Sequence, residues 1–164
     1  MASKKTIILG LDPGLADTGY GIIAKEGSRL SFIAAGSIRT AAGQDFPRRL
    51  EQIYEEMDAL LQRYQPDLVA IEKLFFAKNV KTALAVGQAR GVILLCVRRH
   101  SKRIMEFTPL QIKQGIASSG AASKRQVGLM VKTILSLQAV PRPDDAADAL
   151  ALAITAAFTN PRLR

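Results

Sequence analysis

Short apolar runs alternate with longer stretches of helical periodicity along this 164-residue chain. The runs are rich in β-branched and aliphatic residues and end at turn residues or charges, a pattern typical of buried strands. They predict five strands, at residues 6–11, 20–24, 30–37, 67–72 and 103–107. The short polar connection at residues 25–28 makes the second and third strands antiparallel hairpin neighbours of the first.

Between and after the strands, apolar residues recur at the spacing of a helix face. The pattern predicts helices at residues 49–64, 79–98, 124–137 and from a cap at Asp144 to about Phe158. A further helix begins at Thr108 and Pro109, an N-cap followed by proline. A helix between the third and fourth strands indicates a crossover into a parallel strand. The order predicts an α/β fold, with a mixed five-stranded sheet of three antiparallel strands plus parallel strands flanked by helices.

Composition narrows the classes of function. Residues 1–164 suit a single domain, and the formal net charge of +9 with a pI near 10.1 favours nucleic acid or another anionic partner. No run of 18 apolar residues and no signal peptide is visible, so no membrane partner is expected. The single Cys96 lies in an apolar stretch, and we expect it to be a buried thiol in a cytoplasmic protein.

Four carboxylates stand at the borders of hydrophobic segments. Asp12 closes the run TIILGLD, Glu72 closes DLVAIE, and Asp145 and Asp148 open the helix DAADALALAI. Carboxylates at the carboxyl ends of parallel neighbouring strands meet at one edge of the sheet, and two helix residues three apart share a face. Such a cluster repels itself unless cations neutralise it. The oxygen donors suit Mg²⁺, and with no cluster of Cys and His a zinc site is not expected.

Each of these acids also has a local explanation. Asp145 alone favours a helix N-terminus through the helix dipole, and Asp12 alone suits a turn in Asp-Pro-Gly. Glu72 has no obvious local role. Two Mg²⁺ ions about 4 Å apart, with Asp12 bridging them, would support hydrolysis of a phosphodiester. The convergence of all four acids at one edge is what favours the metal site.

Four segments carry a resemblance to a known family: LGLDPGLADTGYG, AIEKLFFAKN, GQARG and DAADALALAIT. In order and spacing they resemble the RuvC family of Holliday junction resolvases, over residues 6–158. The resemblance implies a ribonuclease H-like fold and Mg²⁺-dependent nicking of four-way DNA junctions, with two ions per site and Mn²⁺ as a substitute. It implies 5′-phosphate and 3′-hydroxyl ends. It also implies a role in homologous recombination and DNA repair.

The resemblance assigns roles to individual residues. The catalytic metal ligands would be Asp12, Glu72, Asp145 and Asp148, the same four acids. Phe75 would stack on bases at the opened junction centre. The alternative is that Phe75 is a phenylalanine of the hydrophobic core. Lys113 and Lys124 would lie near the scissile phosphate and along the DNA, rather than being solvated helix lysines. Further cations of the same edge could neutralise phosphates: Lys73, Lys78, Lys81, Arg90, Arg125 and Lys132.

The chain also departs from the family in two places. Ala156 and Ala157 stand where members often carry His, and the Lys73 position is variable, which affects local handling of water. The lone His100 falls outside the catalytic motifs and is expected at the surface.

A two-fold junction cut in two strands requires two copies of the site, which predicts a homodimer. Small residues stacked in helix 79–98 favour it as the interface. A branch-migration motor of the RuvA and RuvB type is an implied partner. The alternatives are an actin-like nucleotide-binding module, since Asp12 to Gly19 resembles a phosphate loop, a non-catalytic DNA-binding protein, and a nuclease acting on structured RNA.

Overall fold

Five strands form one mixed sheet in the computed structural model, which describes residues 4–74 and 80–159. The strands are β1 (Thr6–Asp12), β2 (Asp17–Glu26), β3 (Arg29–Arg39), β4 (Leu68–Glu72) and β5 (Arg103–Phe107). Their order across the sheet is β3-β2-β1-β4-β5, with β1, β2 and β3 antiparallel and β4 and β5 parallel to β1. The predicted strand directions and the crossover into β4 are therefore confirmed.

The helices are α1 (Phe46–Tyr64), α2 (Val80–Arg99), α3 (Pro109–Ala117), α4 (Lys124–Ile134) and α5 (Asp144–Thr159). Several predicted boundaries were wrong, and among the strands β2 begins at Asp17 and β3 ends at Arg39. Helix α1 begins at Phe46 because Pro47 suits a first helical turn, and α4 ends at Ile134, before the predicted end. Helix α5 starts at Asp144 itself, which the sequence had suggested as a cap. The cap predicted at Thr108 is confirmed, and Thr108 and Ser123 both form complete capping boxes.

Alternation along the strands divides the core into two layers. On β1, Ile8 faces the layer built with α3, α4 and α5, whereas Leu9 and Leu11 face the layer built with α1 and α2. On β4, Leu68 faces the α5 side and Val69 faces the other. Because side chains alternate along a strand, the even-numbered positions at the ends of both strands point towards α5.

Helix α5 lies unusually close to the sheet because glycines face it. A Cβ on Gly10 would lie 1.9 Å from the carbonyl oxygen of Ala149, and a Cβ on Gly19 would lie 2.1 Å from that of Asp145. At the other end of the helix, the buried Lys25 of β2 donates a hydrogen bond of 2.5 Å to the carbonyl oxygen of Ala157. A cation at a helix C-terminus is favoured by the dipole, so both ends of α5 are fixed against β2.

Helix α2 differs from the other helices in its exposed apolar surface. By length and composition alone it could cross a membrane, and 22% of its apolar 18-residue window is buried within the protein. This is weak evidence for a span, since a soluble helix can pass the same test, and α2 packs against α1 and carries the paired Arg90. Val80, Leu84 and Leu95 are its exposed large hydrophobic side chains.

Candidate metal and nucleic-acid site

The first two carboxylates meet at the ends of adjacent parallel strands. Leu11 of β1 pairs with Ile71 of β4, so Asp12 and Glu72 occupy the next position on each strand. Both lie at even-numbered positions that point towards α5. Their carboxyl groups are hydrogen-bonded to each other. The prediction that these two strand ends share one edge is confirmed.

Helix α5 brings the other two carboxylates to the same place. Asp145 and Asp148 lie in its first turns, three residues apart on one face. One carboxylate oxygen from each of Asp12, Asp145 and Asp148 lies within 4.8 Å of the other two. Glu72 joins this group through its hydrogen bond to Asp12. The four predicted acids thus converge. Asp12 lies at the centre of the group, beside Glu72 on one side and the two acids of α5 on the other.

The clustering makes ionisation of these acids unfavourable. Burial raises the pKa of Asp12 from its ordinary 3.8 to about 8, with added contributions from Glu72, Asp148 and Asp145. Burial also raises the pKa of Glu72, and the charge of Asp148 adds to it. The pKa of Asp145 is raised by burial and then by the charge of Asp17. At neutral pH the metal-free site therefore either retains a proton or carries negative charge that destabilises the folded state.

We expect the stability of the metal-free protein to fall with rising pH. A carboxyl group whose pKa is raised on folding adds no penalty below its unfolded pKa, and the penalty grows up to its folded pKa. For Asp12 this window runs from 3.8 to about 8. A divalent ion relieves the penalty, so the Mg²⁺-induced rise in Tm should be larger above about pH 8 than near pH 6. Thermal unfolding with Mg²⁺ and with EDTA measures this, and an equal rise at both pH values would contradict it.

Two lysines border the acids. Lys124 Nζ lies 2.9 Å from Asp148 Oδ2, and this contact raises the lysine pKa. Lys113 of α3 lines the same cavity, whose volume is about 280 Å³. The cavity wall is acidic at the strand ends and at Asp148 of α5, and it is basic or apolar elsewhere on α3, α4 and α5. The lining residues are Asp12, Glu72, Pro109, Ile112, Lys113, Lys124, Val127, Asp148, Ala151 and Leu152.

Only some of the other predicted DNA-contacting residues lie within the described part of the chain. Phe75, Phe76 and Lys78 lie outside the described residues. Arg125 is exposed beside Lys124 on α4, and Lys81 is exposed on the first turn of α2. Arg90 is not a free cation, because it forms an ion pair with Glu106.

Asp17 also belongs to this acidic edge, although the sequence pattern did not predict it. It lies near Asp145, and it pairs with Arg39 through an oxygen 3.2 Å away. Its second oxygen, Oδ1, is buried without a hydrogen-bond partner among the described residues. The signal was present as a second acid, five residues after Asp12 in LGLDPGLADTG. Thr18, the residue after Asp17, is buried and donates a hydrogen bond of 2.6 Å to the Gly14 carbonyl, which closes the Asp-Pro-Gly turn.

A second group of metal-ligand types lies on the opposite side of the sheet. Asp58, Cys96 and His100 offer atoms within 4.8 Å of one another, but His100 Nε2 already lies 2.6 Å from Asp58 Oδ1. Burial raises the pKa of Cys96 to about 11, which disfavours the thiolate that binds metal. Cys96 is buried as expected, whereas His100 is half-buried and paired, not a free surface residue.

The first cluster fits a hard divalent cation. It supplies carboxylate oxygens alone, the pKa of Asp12 is raised to about 8, and Asp17 Oδ1 is buried without a hydrogen-bond partner among the described residues. These are the donors that Mg²⁺ and Mn²⁺ prefer, and they leave room for bound water. The acids are therefore able to bind metal.

Comparison with known proteins gives the class and then the family. The fold matches the Thermus thermophilus RuvC structure with a TM-score of 0.87 and 34% identity, over 93% of this chain and 94% of that one. It matches T. thermophilus RuvC in complex with Holliday junction substrate with a TM-score of 0.85 and 31% identity, over 93% of each chain. The predicted ribonuclease H-like fold is confirmed, and the protein is a nuclease of that class.

The family follows from the sequence. The profile of the family described as crossover junction endodeoxyribonuclease RuvC matches residues 8–156. A crossover junction endodeoxyribonuclease RuvC of Alkaliphilus oremlandii is 56% identical over 154 residues, covering 94% of each chain. The chain belongs to the RuvC family of crossover junction endodeoxyribonucleases. The nucleotide-binding and RNA-nuclease alternatives are not favoured.

Proposed function

We propose that this protein resolves four-way DNA junctions by paired symmetric nicks during recombination and repair, using divalent metal held by Asp12, Glu72, Asp145 and Asp148. The observation that carries the proposal is the convergence of these acids beside two lysines in one cavity. The relative seen with Holliday junction substrate has the same fold. A basic chain attracts the polyanion, while the acidic cavity admits DNA only where a cation compensates its charge.

The acids would hold two Mg²⁺ ions, with Mn²⁺ as a substitute. Asp12 would be the bridging ligand, because it lies close to both Glu72 and the two acids of α5. When bound, the ions would supply an activated water and would stabilise charge on the attacking and leaving oxygens. With the 3′ oxygen as the leaving group, the products would carry the 5′-phosphate and 3′-hydroxyl ends that the family resemblance implies.

The protein side chains would orient the DNA. Lys124, now paired with Asp148, would turn to the scissile phosphate once a metal ion neutralises that acid. Lys113 would approach the same phosphate from α3, across the cavity from Asp12. Lys78, Lys81 and Arg125 would contact phosphates further along the strands. Phe75 would stack on an unpaired base at the junction centre.

A homodimer would place two such sites on two strands of one junction. The candidate interface is the exposed apolar stripe of α2, which we define as Val80, Leu84, Gly91 and Leu95. Within residues 4–74 and 80–159, no atom outside the helix lies within 4 Å of a Cβ built on Gly91, so a second helix could approach closely there. Gly87 is less suited, because it faces the Leu74 side chain at 3.7 Å. A second copy of the chain would bury this stripe, which would explain why these apolar residues are exposed in a single subunit.

Leu84→Glu should weaken the dimer at least about 100-fold, because it buries an unpaired charge at the interface. The side chain is 64% exposed, so the monomer fold should tolerate the change. Sedimentation measures the dimer, and Leu129→Glu, at an exposed leucine of α4, is the matched control. A Leu84→Glu protein that stayed dimeric at the wild-type dissociation constant would rule out this interface.

Two wider expectations complete the proposal. A branch-migration motor of the RuvA and RuvB type would deliver the junction to the dimer. The protein would act in the cytoplasm, where DNA is accessible.

The proposal is tested with an end-labelled synthetic four-way junction and a linear duplex of the same arm sequence. With Mg²⁺, the wild-type protein should produce symmetric nicks in two opposed strands of the junction and leave the duplex uncut. Mn²⁺ should support the same products, and EDTA should abolish them. Equal cleavage of the linear duplex, or no cleavage of the junction, would contradict the proposed function.

A further inference from the structure

Arg90 of α2 makes contacts that its basic character does not predict. Its Nε donates a hydrogen bond of 3.2 Å to the backbone carbonyl of Glu72, at the end of β4. Its Nη2 forms an ion pair with the carboxylate of Glu106 on β5. The guanidinium therefore joins three elements, α2, β4 and β5, beside one of the four acids.

Arg90 is the more buried partner of this ion pair. The Arg90 side chain is 16% exposed, and that of Glu106 is 39% exposed. An arginine with two committed donors in a half-buried setting is a poor phosphate ligand, because binding DNA would require it to leave Glu106 unpaired. Arg90 thus differs from the exposed Lys81 of the same helix.

The end of β4 needs support of this kind. Glu72 is the last residue of the strand, and the next backbone group, the Lys73 amide, donates a hydrogen bond of 2.8 Å to the Phe107 carbonyl. On its other side the Glu72 carbonyl accepts from Arg90. The carboxyl group of Glu72 must stay beside Asp12, and a mobile strand end would let the two groups separate.

We infer that Arg90 is a positioning residue for the metal site: through the Glu72 carbonyl and Glu106 it fixes the strand end that presents the Glu72 carboxylate. This inference rests on the proposed function of the four acids. Because Arg90 lies on the same helix as the exposed apolar stripe, it also connects the candidate dimer helix to the metal ligands. Mutation of a group that orients a metal ligand typically lowers metal affinity or activity by about 10- to 100-fold.

The test compares Arg90→Gln, Arg90→Lys and Glu106→Gln with wild type. Mn²⁺ binding without DNA is measured by calorimetry, junction affinity is measured against salt concentration in EDTA, and cleavage is measured at saturating protein. Arg90→Gln should weaken Mn²⁺ binding and slow cleavage about 10- to 100-fold, with junction affinity within about twofold and an unchanged salt slope. Arg90→Lys and Glu106→Gln should give smaller losses of the same kind. Arg98→Gln, an exposed arginine at the far end of α2, should leave Mn²⁺ binding and cleavage unchanged.

Each outcome decides the inference. If Arg90→Gln flattened the salt slope by about 0.9 and left Mn²⁺ binding intact, Arg90 would be a phosphate contact instead. If neither quantity changed, Arg90 would have no positioning role. Should Arg90→Gln fail to fold, Glu106→Gln at the more exposed partner carries the same measurement, and normal Mn²⁺ binding there would overturn the inference. A wild-type protein inactive on junctions would instead refute the proposed function itself.

Discussion

Asp12→Asn should abolish junction cleavage, with a loss of at least about 10³-fold, while the folded protein becomes more stable without metal. The loss corresponds to roughly 4 kcal/mol of transition-state stabilisation, the scale of a metal contribution. Asparagine keeps the shape of the side chain but removes the charge that would bridge two cations. Single-turnover cleavage of a pre-bound junction measures the loss.

The gain in stability has a separate cause. The pKa of Asp12 is raised to about 8 by burial and by its acidic neighbours, so ionising it at pH 8 disfavours the folded state. The amide removes this penalty, and we expect a gain of about 1–3 kcal/mol in EDTA that disappears near about pH 4. Thermal unfolding in EDTA checks it, and a destabilised Asp12→Asn protein at pH 8 would contradict the description of the site.

Junction binding separates catalysis from affinity. Removing a negative charge beside DNA cannot weaken the electrostatic attraction, so Asp12→Asn and Glu72→Gln should bind the junction at least as tightly as wild type. Asp144→Asn is the matched control, because Asp144 lies on the same turn of α5 as Asp145 but pairs with Arg142 and is 56% exposed. It should cleave within about threefold of wild type, since it holds no bridging position.

Gly19→Ala should lower both stability and activity. The new Cβ would lie 2.1 Å from the carbonyl oxygen and 2.5 Å from the carbonyl carbon of Asp145, so the first turn of α5 must move away from β2. Overpacking against backbone costs roughly 2–4 kcal/mol, or about 5–15 °C in Tm for a chain of this size. Because Asp145 and Asp148 move with that turn, cleavage should fall at least about 100-fold even well below Tm.

The control for this change is Gly43→Ala. Gly43 is exposed in the loop before α1, and a Cβ there would meet no atom of the described part of the chain within 4 Å. Its Tm should stay within about 2 °C of wild type, since exposed substitutions cost little. If Gly19→Ala behaved like Gly43→Ala, close approach of α5 to the sheet would not be what sets the positions of the two acids.

The sequence was sufficient to predict the strands and the two acids that end them. Asp12 and Glu72 could be predicted because a charge at the end of an apolar run is visible in one dimension. Asp145 and Asp148 were ambiguous, since any helix start favours acids. Their convergence depends on Gly10 and Gly19, whose value appears only once the helix is packed on them.

Long-range pairing explains what was missed. Asp17 belongs beside Asp145 only because β2 runs antiparallel to β1, and Arg90 acts on Glu72 from 18 residues along the chain. The buried Lys25 reaches the end of α5 across 132 residues. A count of charges treats these residues as solvated cations and acids. Their roles follow from strand order and helix placement, which depend on contacts distant in sequence.

The most direct test of the account is metal-specificity rescue at the scissile phosphate. Once the nick is mapped, a junction with sulfur replacing a non-bridging oxygen at that phosphate should be cut slowly in Mg²⁺. Because Mn²⁺ accepts sulfur more readily than Mg²⁺ does, it should restore the rate for wild type. Asp12→Asn should show no restoration with either ion. Equal cleavage of the sulfur-substituted junction in both ions, or restoration in Asp12→Asn, would contradict the claim that the four acids hold the metal that contacts the phosphate.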